Sequence, residues 1–193
     1  MSVSDFAATD TSSWRHLGEK SHYQGSIVSV ATQTVQSPNG AILEREVVHH
    51  TGAVAIVPLS GDSQDTVLLF SQYRSPVKRQ LLEIPAGKLD IEGEDITELA
   101  DRELQEETGT KAGYLEKIAE FYTSPGFCDE KIHLFVAREL TPVEPRPEGE
   151  EELLATVVTV KLDLALQLIS QGYIVDAKTI IGLLIVAEKV YNG

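Results

Sequence analysis

Apolar residues along the chain fall into short segments of two kinds, and their spacing predicts strands interleaved with helices. Residues 27–35 alternate apolar and polar, Ser37-Pro38-Asn39-Gly40 supplies turn chemistry, and residues 42–48 alternate again, which predicts an antiparallel hairpin. Residues 53–59 and 66–73 are continuous apolar strands joined through Gly61-Asp62-Ser63. A strand over 81–84 leads by Pro85-Ala86 into a helix, and further strands fit at 114–121, 131–137 and 156–160. Two helices close the chain, one over 163–171 that stops at Gly172 and one capped by Asp176 that continues to 190. Residues 1–22 are polar and loosely patterned and predict a frayed start. This order packs as a mixed sheet with helices on both faces.

The helix after Pro85-Ala86 breaks its own pattern. Asp95 followed by Glu98 is a capping-box arrangement and Gly109 is a good C′ residue, so the helix spans 96–108. At about 100° per residue, Ile96, Leu99 and Ala100 form an apolar stripe, and Glu103 and Glu107 fall inside it with Glu106 at its edge. Glu98, Asp101 and Gln105 take the opposite, solvated face. Two carboxylates an i, i+4 step apart stand roughly 6 Å apart at Cβ and repel. Partial burial raises that cost, and a hard divalent cation such as Mg²⁺ or Mn²⁺ removes it, because such ions take oxygen ligands. Arg102 points elsewhere on the helix, where it can hold a ligating carboxylate from a neighbouring turn.

Composition narrows the class. A chain of 193 residues with 42% hydrophobic content buries a proper core and reads as a soluble globular enzyme. Its net charge of −14, with no basic patch, excludes a nucleic-acid surface and leaves any phosphate-bearing substrate to be screened by a metal ion. No leader opens the chain and no apolar run reaches a membrane span; the longest, 180–186, is a helix core. The single Cys128 rules out an intrachain disulfide, suits a reducing cytoplasm, and reads as a small loop or core thiol.

Arg102-Glu103-Leu104-Gln105-Glu106-Glu107-Thr108-Gly109 closely resembles the second half of the Nudix box, with Glu94 and Gly87 as its upstream members. There are two departures. Six residues separate Gly87 from Glu94 where the pattern has five, which places the extra residue in the loop, and Thr110 stands where an aliphatic residue is usual. The resemblance implies an α+β Nudix fold, an α/β/α sandwich around a mixed sheet, with an N-terminal antiparallel hairpin extension. On that basis residues 1–48 form the extension and 49–193 the hydrolase domain. Glu103, Glu106 and Glu107, with the Ala86 carbonyl, are the implied metal ligands, for Mg²⁺ with Mn²⁺ as the alternative.

Other stretches resemble the ADP-ribose pyrophosphatases within that family. Pro125 lies fifteen residues past Thr110, in Ser124-Pro125-Gly126-Phe127-Cys128-Asp129-Glu130, at the offset that marks the subfamily. Gln72-Tyr73-Arg74 and Leu82-Glu83-Ile84-Pro85-Ala86-Gly87 are also similar to it. These imply substrate contacts at Arg45, Arg74, Glu83, Gly126 and Glu130, with the Arg74 guanidinium fork matched to a diphosphate. The Pro- and Glu-rich stretch 144–152 reads by itself as a solvated loop; by resemblance it carries the general base, Glu152 first and Glu150 second. The implied reaction is metal-dependent hydrolysis of ADP-ribose to AMP and ribose 5-phosphate, by a homodimer joined through the N-terminal hairpin. Another nucleotide sugar or a nucleoside triphosphate is the alternative substrate. A catalytically silent ADP-ribose sensor is disfavoured because every box glutamate stands. NADH is disfavoured because the Ser-Gln-Pro-Trp-Pro-Phe-Pro array of NADH-hydrolysing relatives is absent after the box.

Overall fold

The computed structural model describes residues 13–61, 63–91, 93–144 and 153–192, which divide into two compact units. The first comprises the chain up to His50 together with Ser124–Glu130. Its three antiparallel strands, β1 (Arg15–Gln24), β2 (Val28–Gln36) and β3 (Ile42–His50), run in the order β1-β2-β3. The predicted hairpin is β2–β3, and its turn is closed by Ser37 and Ala41 with Gly40 at φ 86°. Strand β1 corrects the expectation of a frayed start through residue 22, at least from residue 15 onward. Its side chains are exposed on both faces apart from half-buried Gly18, so no apolar alternation marks it. Backbone pairing with β2 holds it, with register shifts between His16 and Gly18 and between Ser21 and Tyr23.

The loop Ser124–Glu130 belongs to this unit through β3. Val48 donates its amide to the Phe127 carbonyl at 2.8 Å, Asp129 returns one to Val48 at 3.2 Å, and the His50 amide reaches Asp129 Oδ1 at 2.8 Å. His49 sits between two carboxylates, 2.5 Å from Asp129 and 3.1 Å from Glu19. The hydrogen bond to Asp129 leads the causes that raise the His49 pKa above its ordinary value.

The second unit is a seven-stranded mixed sheet with helices on both faces. It is built from β4 (Ala53–Ser60), β5 (Thr66–Arg74), β6 (Arg79–Glu83), β7 (Ala86–Lys88), β9 (Tyr114–Tyr122), β10 (Lys131–Arg138) and β12 (Thr156–Lys161). The central path runs β12-β5-β4-β10-β9, with β6 on β5 and β7 on β4; β10 and β4 are parallel and the other pairs antiparallel. Two-residue strands β8 (Thr110–Lys111) and β11 (Thr141–Pro142) pair separately.

Alternation along the central strands sorts the core into two layers. Val54, Ile56, Phe135 and Ala137 pack with Leu99, Ala100 and Leu104 of α1 (Ile96–Thr108). Their strand neighbours Ala55, Val57, Leu59, Leu134 and Val136 pack on the other face. They meet Leu162 and Ala165 of α2 (Leu162–Ser170) and Leu183 and Val186 of α3 (Ala177–Asn192). A strand buried on both faces is apolar throughout, which is why 53–59 shows no alternation. Among the described residues no helix is long and apolar enough to cross a membrane.

Candidate active site

Helix α1 has the predicted bounds for the predicted reasons. The Asp95 side chain accepts from the amides of Thr97 and Glu98, and Gly109 ends the helix in the left-handed region at φ 63°. On the face turned to the sheet, Glu103 and Glu107 are buried alongside Leu99, Ala100 and Leu104, 9% and 8% exposed. These are two carboxylates where helical periodicity calls for apolar side chains.

Strand β7 meets them. Its pairing to β4 sets Gly87 opposite Val54 and Ala86 opposite Ala55, and the Ala86 amide donates to Glu107 Oε2 at 3.0 Å. Glu103 lies over Gly87 so closely that a β-carbon there would stand 2.0 Å from its Cδ. Glycine makes that approach possible. Arg102 holds the remaining box carboxylates, with Glu94 at 3.2 Å, Glu106 at 2.9 Å and Glu103 at 3.3 Å. Burial opposes the Arg102 charge, but these three carboxylates outweigh it and lift its pKa above the ordinary arginine value. Arg102 therefore does hold a carboxylate from the neighbouring turn, Glu106, together with Glu94 from the loop before the helix, and the arginine and these glutamates of the box form one network.

Among the described residues no three Asp, Glu, His or Cys side chains stand close enough, as they lie, to grip a cation. The donor set nevertheless suits one. It consists of hard carboxylate oxygens on one helix face, two of them almost buried, with Arg102 beside Glu103 and Glu106.

The other expected residues fall into separate groups. Arg74, at the end of β5, makes a bidentate pair through Nε and Nη2 with Glu83 of β6, each bond 2.8 Å. Burial pushes the Glu83 carboxyl up, yet Arg74 and Lys178 together hold it below the usual carboxylate value. Arg45, Gly126 and Glu130 belong to the first unit. Arg45 donates to the Glu44 carbonyl at 2.7 Å, Gly126 has open space where a side chain would stand, and Glu130 lies 3.7 Å from His50. Glu150 and Glu152 lie outside the described residues. Sequence reasoning missed Lys178, whose ammonium contacts Glu83 and, at 3.1 Å, Asp176. The available signal was a lysine in the first turn of a helix, where the dipole disfavours it.

A family model for the NUDIX domain matches residues 49–178. The chain is 40% identical over 163 residues to an ADP-ribose pyrophosphatase of Bacillus subtilis (strain 168), an alignment covering 84% of this chain and 86% of that one. It is also 40% identical over 159 residues to a methanol dehydrogenase activator of Bacillus methanolicus, covering 82% and 84%. A crystal structure of an ADP compounds hydrolase superposes with a TM-score of 0.78 at 23% identity, covering 93% of this chain and 95% of that one, which shows the fold. The chain belongs to the NUDIX domain family, and it is a Nudix hydrolase.

Proposed function

We propose that the protein hydrolyses the diphosphate of ADP-ribose, giving AMP and ribose 5-phosphate, with Mg²⁺ at the box glutamates. The observation that carries this reading is the pair of almost buried carboxylates, Glu103 and Glu107, facing Ala86 and Gly87. The similarity to the ADP-ribose pyrophosphatase of B. subtilis and the Pro125 offset support ADP-ribose as the substrate. Glu103, Glu106, Glu107 and the Ala86 carbonyl would hold the ion, which would neutralise the diphosphate and lower the pKa of an attacking water.

The side chains have distinct tasks in this reading. Arg102 keeps the carboxylates of Glu94, Glu103 and Glu106 together, and the Ala86 amide fixes Glu107. Arg74 offers the diphosphate the edge of its guanidinium that Glu83 does not use. Glu152, or Glu150 in its place, takes the proton of the attacking water, and Arg45, Gly126 and Glu130 contact the remainder of the substrate.

A homodimer through residues 1–48 completes the proposal. In the first unit Ala31 alone is buried among the described residues, while Trp14, Leu17, Tyr23, Ile27 and Ile42 are about half exposed. An open groove of 540 Å³ lies among Trp14, Pro38 and Leu43. A sheet with so little core is expected to be covered by a second copy of the chain. The test is product analysis with ADP-ribose, with Mg²⁺ or with chelator. Equimolar AMP and ribose 5-phosphate, formed only with the metal, is the expected result. Intact ADP-ribose under both conditions would refute the reading.

A further inference from the structure

Lys178 occupies a place where a lysine is costly. It lies in the first turn of α3, where the helix dipole disfavours cations, and its side chain is only 12% exposed. What holds it there is Glu83, itself 1% exposed, with Asp176 at 3.1 Å on the other side. The same Glu83 carboxylate accepts both hydrogen bonds from Arg74. One buried anion thus joins the end of β5 to the start of α3.

A second bond strengthens the junction. Thr179 Oγ1 donates to Asp176 Oδ2 at 2.6 Å and accepts the Ile84 amide at 2.9 Å, and Thr179 is fully buried. The first turn of α3 therefore grips Glu83 and Ile84, immediately ahead of Pro85-Ala86. From the opposite side Glu107 of α1 accepts the Ala86 amide. The segment 83–86 is pinned between the two helices, and Arg74 is fastened to it. Arg74 is the exposed member of the cluster, with 38% of its side chain accessible. Glu83 takes two of the five guanidinium N–H donors from one edge, and the outer edge remains for another oxyanion.

We infer that Lys178 is a positioning residue for substrate: by fixing Glu83 it sets the orientation in which Arg74 presents its outer edge to the diphosphate. This role rests on the ADP-ribose reading. If Lys178 is removed, Glu83 keeps Arg74 as its main cationic partner and draws the guanidinium inward. The loss falls on substrate binding, common to ground and transition states, so it appears in KM more than in kcat.

The test is a double-mutant cycle in the full chain with Lys178→Met and Arg74→Ala, following kcat and KM for ADP-ribose and the Kd for AMP. Lys178→Met is expected to raise KM and Kd by about tenfold and lower kcat by less than about threefold, and to change neither constant by more than about twofold when Arg74 is already alanine. Lys178→Arg should restore KM towards the parent. Equal losses in both Arg74 backgrounds, or a loss confined to kcat, would overturn the role. If Lys178→Met does not fold, as a thermal melt would show, Lys178→Gln replaces it in the cycle under the same criteria. A parent inactive on ADP-ribose would count against the proposed function alone. The cycle would then be read with GDP-mannose or whichever nucleotide the parent does hydrolyse.

Discussion

Gly87→Ala isolates the placement of one carboxylate from everything else in the site. Gly87 is not among the glycines with positive φ, so alanine fits its backbone. The new methyl group would stand 2.0 Å from Glu103 Cδ and 2.1 Å from Oε1. Carbon atoms in ordinary contact lie about 3.5–4.0 Å apart, so the carboxylate must retreat by about 1.5 Å. A misplacement of about 1 Å at a reacting centre costs on the order of a hundredfold in rate, and that is the loss expected in kcat. The atoms that collide, Cγ, Cδ and Oε1, all belong to the Glu103 side chain and none to the backbone, which lets the fold persist. Replacing glycine also contributes about 0.4–1 kcal/mol by restricting the unfolded chain. The Tm is therefore expected to stay within about 4 °C of the parent. The assay is the initial rate of AMP release from ADP-ribose at saturating Mg²⁺, paired with a thermal melt of the same sample. A variant with parental Tm and kcat within about threefold of the parent would refute the claim that Glu103 works from its seat over Gly87.

Further outcomes follow from the same geometry. Glu107→Gln should lower kcat by at least about a hundredfold with the fold intact. Without metal it should be at least as heat-stable as the metal-free parent, because one of two buried like charges is gone; a lower Tm there would contradict the assigned repulsion. Thr179→Val leaves the Ile84 amide without its partner and should cost about 1–3 kcal/mol in a urea melt, and an unchanged midpoint would remove Thr179 from the junction. The His49 pKa is raised, so its link to Asp129 is at full strength below the ordinary histidine pKa and weakens as pH rises through the folded value. Amide exchange in 124–130 should therefore quicken from slightly acid to alkaline pH in the parent beyond its intrinsic rise, and His49→Gln should abolish the excess. Glu152→Gln is expected to cut kcat by about a hundred- to ten-thousandfold with little change in KM; should Glu150→Gln do so instead, the base lies two residues earlier.

What the sequence disclosed depends on how far each signal reached along the chain. Helix α1 was legible to the residue because its limits are local: Asp95 caps two amides and Gly109 takes a left-handed φ. Glu103 and Glu107 were legible because a helix has one period, and charges inside its apolar stripe contradict that period. Strand β1 was not, since its side chains are exposed on both faces and only its partner β2 makes it a strand. The three-residue β7 is likewise defined by pairing with β4, more than thirty positions earlier. The expectation for Arg74 was a fork open to phosphate, and the structure shows one edge of that fork already committed to Glu83. Lys178 stayed hidden because its burial comes from Glu83, 95 residues away in the chain.

Substrate competition decides which diphosphate the box serves. With the purified chain, Mg²⁺ and a panel of ADP-ribose, GDP-mannose, NADH and nucleoside triphosphates, kcat/KM is expected to favour ADP-ribose by about an order of magnitude or more. A nucleoside triphosphate as the best substrate would contradict it.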